Sequence, residues 1–168
     1  MLQLRDLPTD EVLSKFAQRY PQADTSAISS FLYLLRVATD LSVSLDECLS
    51  KHGLLQGRWW VLILLMREDN CTSTPSELSD KAGVTRATMT GLLDGLERDG
   101  LLTRIFDAND RRRVSVRLTD AGQAKLDSVM PDYYQRLSVC MAGVNEPARL
   151  QLRQILQTIH QGVDAFTK

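Results

Sequence analysis

Residues 74–102 read TPSELSDKAGVTRATMTGLLDGLERDGLL, and local chemistry alone places two helices in them. Thr74 is a good N-cap, Pro75 suits the first helical position, and Glu77 three residues on completes a capping box. Gly83 then stops a short helix, and Thr85 can cap the next one. In that second helix Met89, Leu92, Leu93 and Leu96 fall at i, i+3, i+4 and i+7, a single apolar stripe. Ala87, Thr90, Gly91, Asp94 and Arg98 point the opposite way, and Gly100 ends the helix. Two helices joined by a short glycine-containing turn are a helix-turn-helix signature.

Beyond this pair, LLTRIF (101–106) and VSVRLT (114–119) are strand-like runs flanking DANDRRR (107–113), which predicts a hairpin with a basic tip. Helix, turn, helix and basic hairpin is the order of a winged helix-turn-helix. Its logic suits duplex DNA, since a major groove about 12 Å wide admits one helix. An arginine on the hairpin then meets the focused negative potential of the minor groove. Charge is consistent with that reading. The chain as a whole carries −1, so any pull toward nucleic acid must be local. Residues 101–119 hold five arginines (Arg104, Arg111, Arg112, Arg113, Arg117) against two aspartates (Asp107, Asp110).

Further out, 1–25 form a polar lead-in with a short helix at 9–19 closed by Pro21. From Ser26 to about Ser50, Ile28, Phe31, Leu35, Ala38, Leu45 and Leu49 follow helical spacing up to the stop at Gly53. That apolar face is wider than one small core needs. RWWVLILLMRE (58–68) is apolar nearly all round; its length permits a buried strand, but charged flanks and the lack of turn residues favour a central buried helix. Thr119 opens a long helix carrying Leu126, Val129, Met130, Tyr133, Leu137 and Met141, which Pro131 should kink or interrupt. Asn145 caps a last helix with Leu150, Ile155, Ile159 and Val163. The expected class is mainly α with a small β-hairpin wing (α+β): an extension 1–25, a helical region 26–53 and 120–168, and a winged helix-turn-helix lobe 54–119.

Composition narrows the functions. The longest apolar run, WWVLILLM (59–66), is too short to span a bilayer, and the start MLQLRDLPTDEV lacks a signal peptide's basic and apolar segments. A cytoplasmic protein without a membrane partner is expected. Cys48, Cys71 and Cys140 are widely spaced and there are only two histidines, His52 and His160, so neither a disulfide framework nor a metal or cofactor site is expected. With no nucleophile motif, phosphate loop or defined carboxylate pair, an enzyme is not expected either.

PSELSDKAGVTRATMTGLLDGLERDGLL, the tip DANDRRR, the junction VRLTDAG and the spacing between them resemble the MarR-type transcriptional regulators, from about Ser26 to Val163. The resemblance implies a homodimer, joined through its first and last helices, that binds double-stranded DNA and usually represses transcription. A small, often aromatic, effector commonly releases the DNA. The family's recognition positions fall on Thr85, Arg86, Thr88, Thr90 and Gly91. On the wing the resemblance assigns Asp110 and Arg111 to bracing the tip and Arg112 to the minor groove, with Arg113 on phosphate or folded back. Effector candidates by position are Tyr33, Arg36, Trp59 and Trp60, although a core role for the aromatics competes.

Two departures stand out. Many members carry arginines where this chain has Gly91 and Gly95. Each glycine costs about 1 kcal/mol of helix propensity against Ala, and each removes a possible guanine contact worth about 1–3 kcal/mol. The family's thiol sensors place a cysteine near Phe31–Leu32, and this chain has none there. A redox role for the existing thiols and a winged-helix protein-interaction module are the alternatives.

Overall fold

The computed structural model describes residues 6–106 and 114–166. Its helices begin where an oxygen can serve their free N–H groups. Thr9 caps α1 (Asp10–Arg19), and Asp24 caps α2 (Thr25–Ser50) by accepting from the Ala27 N–H at 2.9 Å. The first residue of α3 (Gln56–Met66) has no cap of its own; its N–H donates to Asp46 Oδ1 of α2 at 3.0 Å. The all-apolar segment is therefore a helix, and Trp59, Val61, Leu62 and Leu65 are buried.

Around α3 lie α4 (Pro75–Ala82) and α5 (Arg86–Arg98). Leu78 of α4 and Met89, Leu93 and Leu96 of α5 close the core, with Leu102, Val116 and Leu118 from the strands. Fully burying a side chain of this kind contributes about 1.5–3 kcal/mol. Three residues of the stripe read from the sequence thus lie on the buried face of α5, and the fourth, Leu92, is half-buried.

The wing strands are β2 (Leu102–Phe106) and β3 (Val114–Leu118), antiparallel with Arg104 opposite Val116. A third strand, β1 (Thr72–Ser73), pairs with the other edge of β3 and places Thr72 opposite Arg117. The sequence reading missed it, because two residues carry no period-2 signal. The turn into β1 places Asn70 and Cys71 at φ of 53° and 50°, left-handed backbone that side chains rarely adopt. Past the sheet, α6 (Asp120–Cys140) continues through Pro131, so of the two outcomes expected there, a kink or an interruption, the helix is not interrupted. Proline deletes one ladder hydrogen bond, and a helix of this length forms on both sides of it. Asn145 caps α7 (Glu146–Gln161) by accepting from the Ala148 N–H at 3.1 Å.

The chain divides into two compact units, 1–123 and 124–168. In the first, α2 leaves Phe31, Tyr33, Leu35, Val37, Leu41 and Val43 exposed. By length and composition alone α2 is long and apolar enough to cross a membrane, a property the apolar run at 59–66 lacks. In the second unit no residue of α7 is buried, and Leu150, Ile155 and Ile159 lie on its surface. Arg149 there donates to the Met141 carbonyl at 3.0 Å and ties α7 to the end of α6.

Candidate nucleic-acid interface

The turn between α4 and α5 is built as its residues dictate. The Glu77 N–H donates to Thr74 Oγ1 at 3.2 Å, and Glu77 Oε2 accepts from the Thr74 N–H at 3.0 Å. That backbone bond and the hydroxyls of Ser73 and Thr74 hold the Glu77 carboxyl below the usual carboxylate range. Gly83, at φ 64°, takes the left-handed position that ends α4, and the Val84 N–H returns to the Ser79 carbonyl at 3.1 Å. One residue later Thr85 caps α5 by accepting from the Thr88 N–H at 3.1 Å.

Thr85, Arg86, Thr88, Thr90 and Gly91 are all exposed, on the N-terminal half of α5. Their hydroxyls are already engaged within the helix. Thr85 and Thr88 share a hydrogen bond of 2.9 Å, and Thr90 donates to the Arg86 carbonyl at 2.9 Å. Each hydroxyl keeps acceptor capacity. Among the described residues Arg86 makes a long contact, 3.4 Å to Ser76 Oγ, and it is exposed. A Cβ at Gly91 would meet nothing within 4 Å.

Gly95 differs from its neighbour and corrects the sequence reading. It is buried, not placed where an arginine could reach guanine, and the Arg58 guanidinium of α3 lies across it. A Cβ there would fall 2.8 Å from Arg58 Cζ. An arginine at 95 would displace Arg58 before it reached DNA. Arg58 continues to Asp99, with Nη1 2.7 Å from Oδ2.

The charge count on the wing also needs revision. Arg104 donates to Asp94 Oδ1 at 2.6 Å and to Glu97 Oε2. These partners, the Asp94 hydrogen bond first, raise its pKa above the usual value against the opposing effect of burial. Arg117 Nε donates to Thr72 Oγ1 at 3.0 Å. Two of the five wing arginines therefore serve the lobe itself. Asp110, Arg111, Arg112 and Arg113 lie outside the described residues.

The four effector candidates do not share one environment. Trp59 is 1% exposed and belongs to the lobe core, whereas Trp60 is 41% and Tyr33 61% exposed. Arg36 pairs along its own helix with Asp40 at 2.6 Å. Cys48 is buried, Cys71 half-buried and Cys140 exposed, all as free thiols. Among the described residues no cluster of three or more His, Cys, Asp or Glu could hold a metal ion.

Sequence reading overlooked Arg58 and took Arg104 only as wing charge. A signal was present: Asp94, Glu97 and Asp99 crowd the C-terminal half of α5, where the helix dipole disfavours carboxylates. Acids in that place call for cations from elsewhere in the chain.

Known proteins share this architecture. Residues 52–113 match the model of the MarR family. Over 165 residues the chain is 28% identical to the HTH-type transcriptional repressor YetL of Bacillus subtilis, covering 98% of this chain and 99% of that one. The crystal structure of transcriptional regulator PA4135 is 30% identical with a TM-score of 0.66, over 78% of this chain and 95% of that one. The M. tuberculosis transcriptional regulator MOSR, solved in complex with DNA, is 29% identical with a TM-score of 0.61, over 77% and 92% of the two chains.

Proposed function

Because the chain belongs to the MarR family of winged helix-turn-helix transcriptional regulators, we propose that it acts as a homodimeric repressor on a pseudo-palindromic DNA operator. The observation that carries the reading is the N-terminal half of α5, where Thr85, Arg86, Thr88, Thr90 and Gly91 are all exposed and Met89 alone is buried. A related regulator bound to DNA supports it. In this reading Arg86 and Thr90 reach base edges or phosphate in the major groove. Gly91 permits close approach of the backbone. Asp110 and Arg111 brace the wing tip, Arg112 enters the minor groove and Arg113 meets phosphate or folds back.

The helical regions 26–53 and 120–168 join two copies, so the exposed apolar residues of α2 and α7 face a partner rather than lipid. The protein then works in the cytoplasm. A small, aromatic effector binds beside Tyr33, Arg36 and Trp60, with Trp59 as wall rather than contact, and releases DNA by favouring another spacing of the two lobes.

Binding of random and genomic duplexes, followed by fluorescence anisotropy across a salt series, tests the proposal. Arg112→Ala should weaken binding to all sequences and flatten the salt slope by about 0.9 for the lost phosphate neutralisation. Arg86→Ala should mainly change which sequences are preferred. No binding to any duplex at ~50 mM salt would sink the reading. Sequencing the captured genomic fragments gives the operator.

A further inference from the structure

The recognition helix is gripped from two sides. Asp94 and Glu97 take Arg104 of β2, while Gly95 and Asp99 take Arg58 of α3. At 100° per residue these two edges stand about 150° apart around the α5 axis. Each arginine side chain is 23% exposed while Asp94 and Asp99 stay open to solvent, so the pairs are partly screened and what the two arginines add is mainly a fixed geometry. The grip on Glu97 reaches the main chain too, since the Arg104 backbone N–H donates to Glu97 Oε1 at 3.2 Å. Gly95 completes the arrangement, because only a residue without Cβ lets a guanidinium lie against the helix backbone.

All four contacts fall on the C-terminal half of α5. The N-terminal half, from Thr85 to Gly91, is exposed on every residue except the core residue Met89. We infer that Arg58 and Arg104 are positioning residues, which fix the angle at which α5 offers its N-terminal half to DNA. The inference rests on the DNA-binding reading above. Arg104 binds the helix to the wing, and Arg58 binds it to α3, so the two DNA-facing elements keep one mutual geometry. The two guanidinium charges offset most, though not all, of the repulsion that Asp94, Glu97 and Asp99 would exert on phosphate. Neither arginine is itself a DNA contact.

Arg58→Ala, Arg104→Ala and Gly95→Ala separate this role from others, with Glu97→Gln as the milder change should either arginine variant fail to fold. Hydrogen exchange on the DNA-free protein should show faster exchange of the Gly95–Asp99 amides in each variant, with α4 amides unchanged. Duplex affinity should fall about fivefold or more at constant salt slope. Combining Arg58→Ala with Gly95→Ala should add little to either alone, since both remove one contact. Unchanged exchange overturns the inference whatever happens with DNA. A salt slope reduced by about 0.9 overturns it by making the arginine a phosphate contact. Faster exchange with unchanged affinity overturns it by showing that the grip does not govern binding. Failure of the wild-type protein to bind any duplex instead defeats the DNA-binding reading, and exchange alone then decides whether the arginines hold α5.

Discussion

Thr74 and Glu77 each cap the other's backbone: the Thr74 N–H reaches the Glu77 carboxylate at 3.0 Å, and the Glu77 N–H reaches the Thr74 hydroxyl at 3.2 Å. The pair secures the start of the helix on which α5 rests. Thr74→Ala should lower stability by about 1 kcal/mol in urea or thermal unfolding. A loss near zero would mean that the Ser73 hydroxyl alone, 3.0 Å from Glu77, holds the turn.

The same carboxylate makes stability depend on pH. Its folded-state pKa lies below the ordinary 4.5, so its contribution is complete above that value and is lost as pH falls through the lowered one. Wild type and Glu77→Gln should differ in urea midpoint at pH 7 and converge toward pH 3. A constant gap across that range would contradict the assignment.

Gly91 and Gly122 should respond in opposite senses to a single methyl group. At Gly91 the space is open, so Gly91→Ala should stabilise the protein by about 0.5–1 kcal/mol. Under the proposed docking the same methyl meets DNA, and affinity falls as stability rises. At Gly122 a Cβ would strike the Leu101 carbonyl and come within 2.6 Å of Leu118 Cδ1. Gly122→Ala should therefore destabilise by about 1–3 kcal/mol. Paired thermal melts decide both signs.

Ile155 and Ile159 lie exposed on α7, none of whose residues is buried. Ile155→Glu should convert a dimeric wild type into monomer at micromolar concentration, as read by sedimentation equilibrium. A monomeric wild type would contradict the proposed assembly.

Legibility in the sequence tracked the range of the interaction. Thr74, Glu77, Gly83 and Thr85 act within four residues, and all four stand where their local chemistry puts them. The stripe Met89, Leu93 and Leu96 was readable because burial imposes a period. Gly95 was misread because its environment is set by Arg58, 37 positions earlier, and no local rule carries that distance. Arg104 was counted as positive charge for DNA for the same reason, since its neutralising partners sit on another element. Trp59 and Trp60 were indistinguishable in a run apolar on all sides, and only packing separates the buried ring from the exposed one.

The two-residue strand β1 has a topological consequence. By pairing Thr72 with Arg117 it joins the chain just before the helix-turn-helix to the return strand of the wing, and encloses both within one loop. The two ends of the lobe can then separate only by breaking that closure. The β1 and β3 amides should therefore be protected as interior positions of the lobe rather than fray as chain ends.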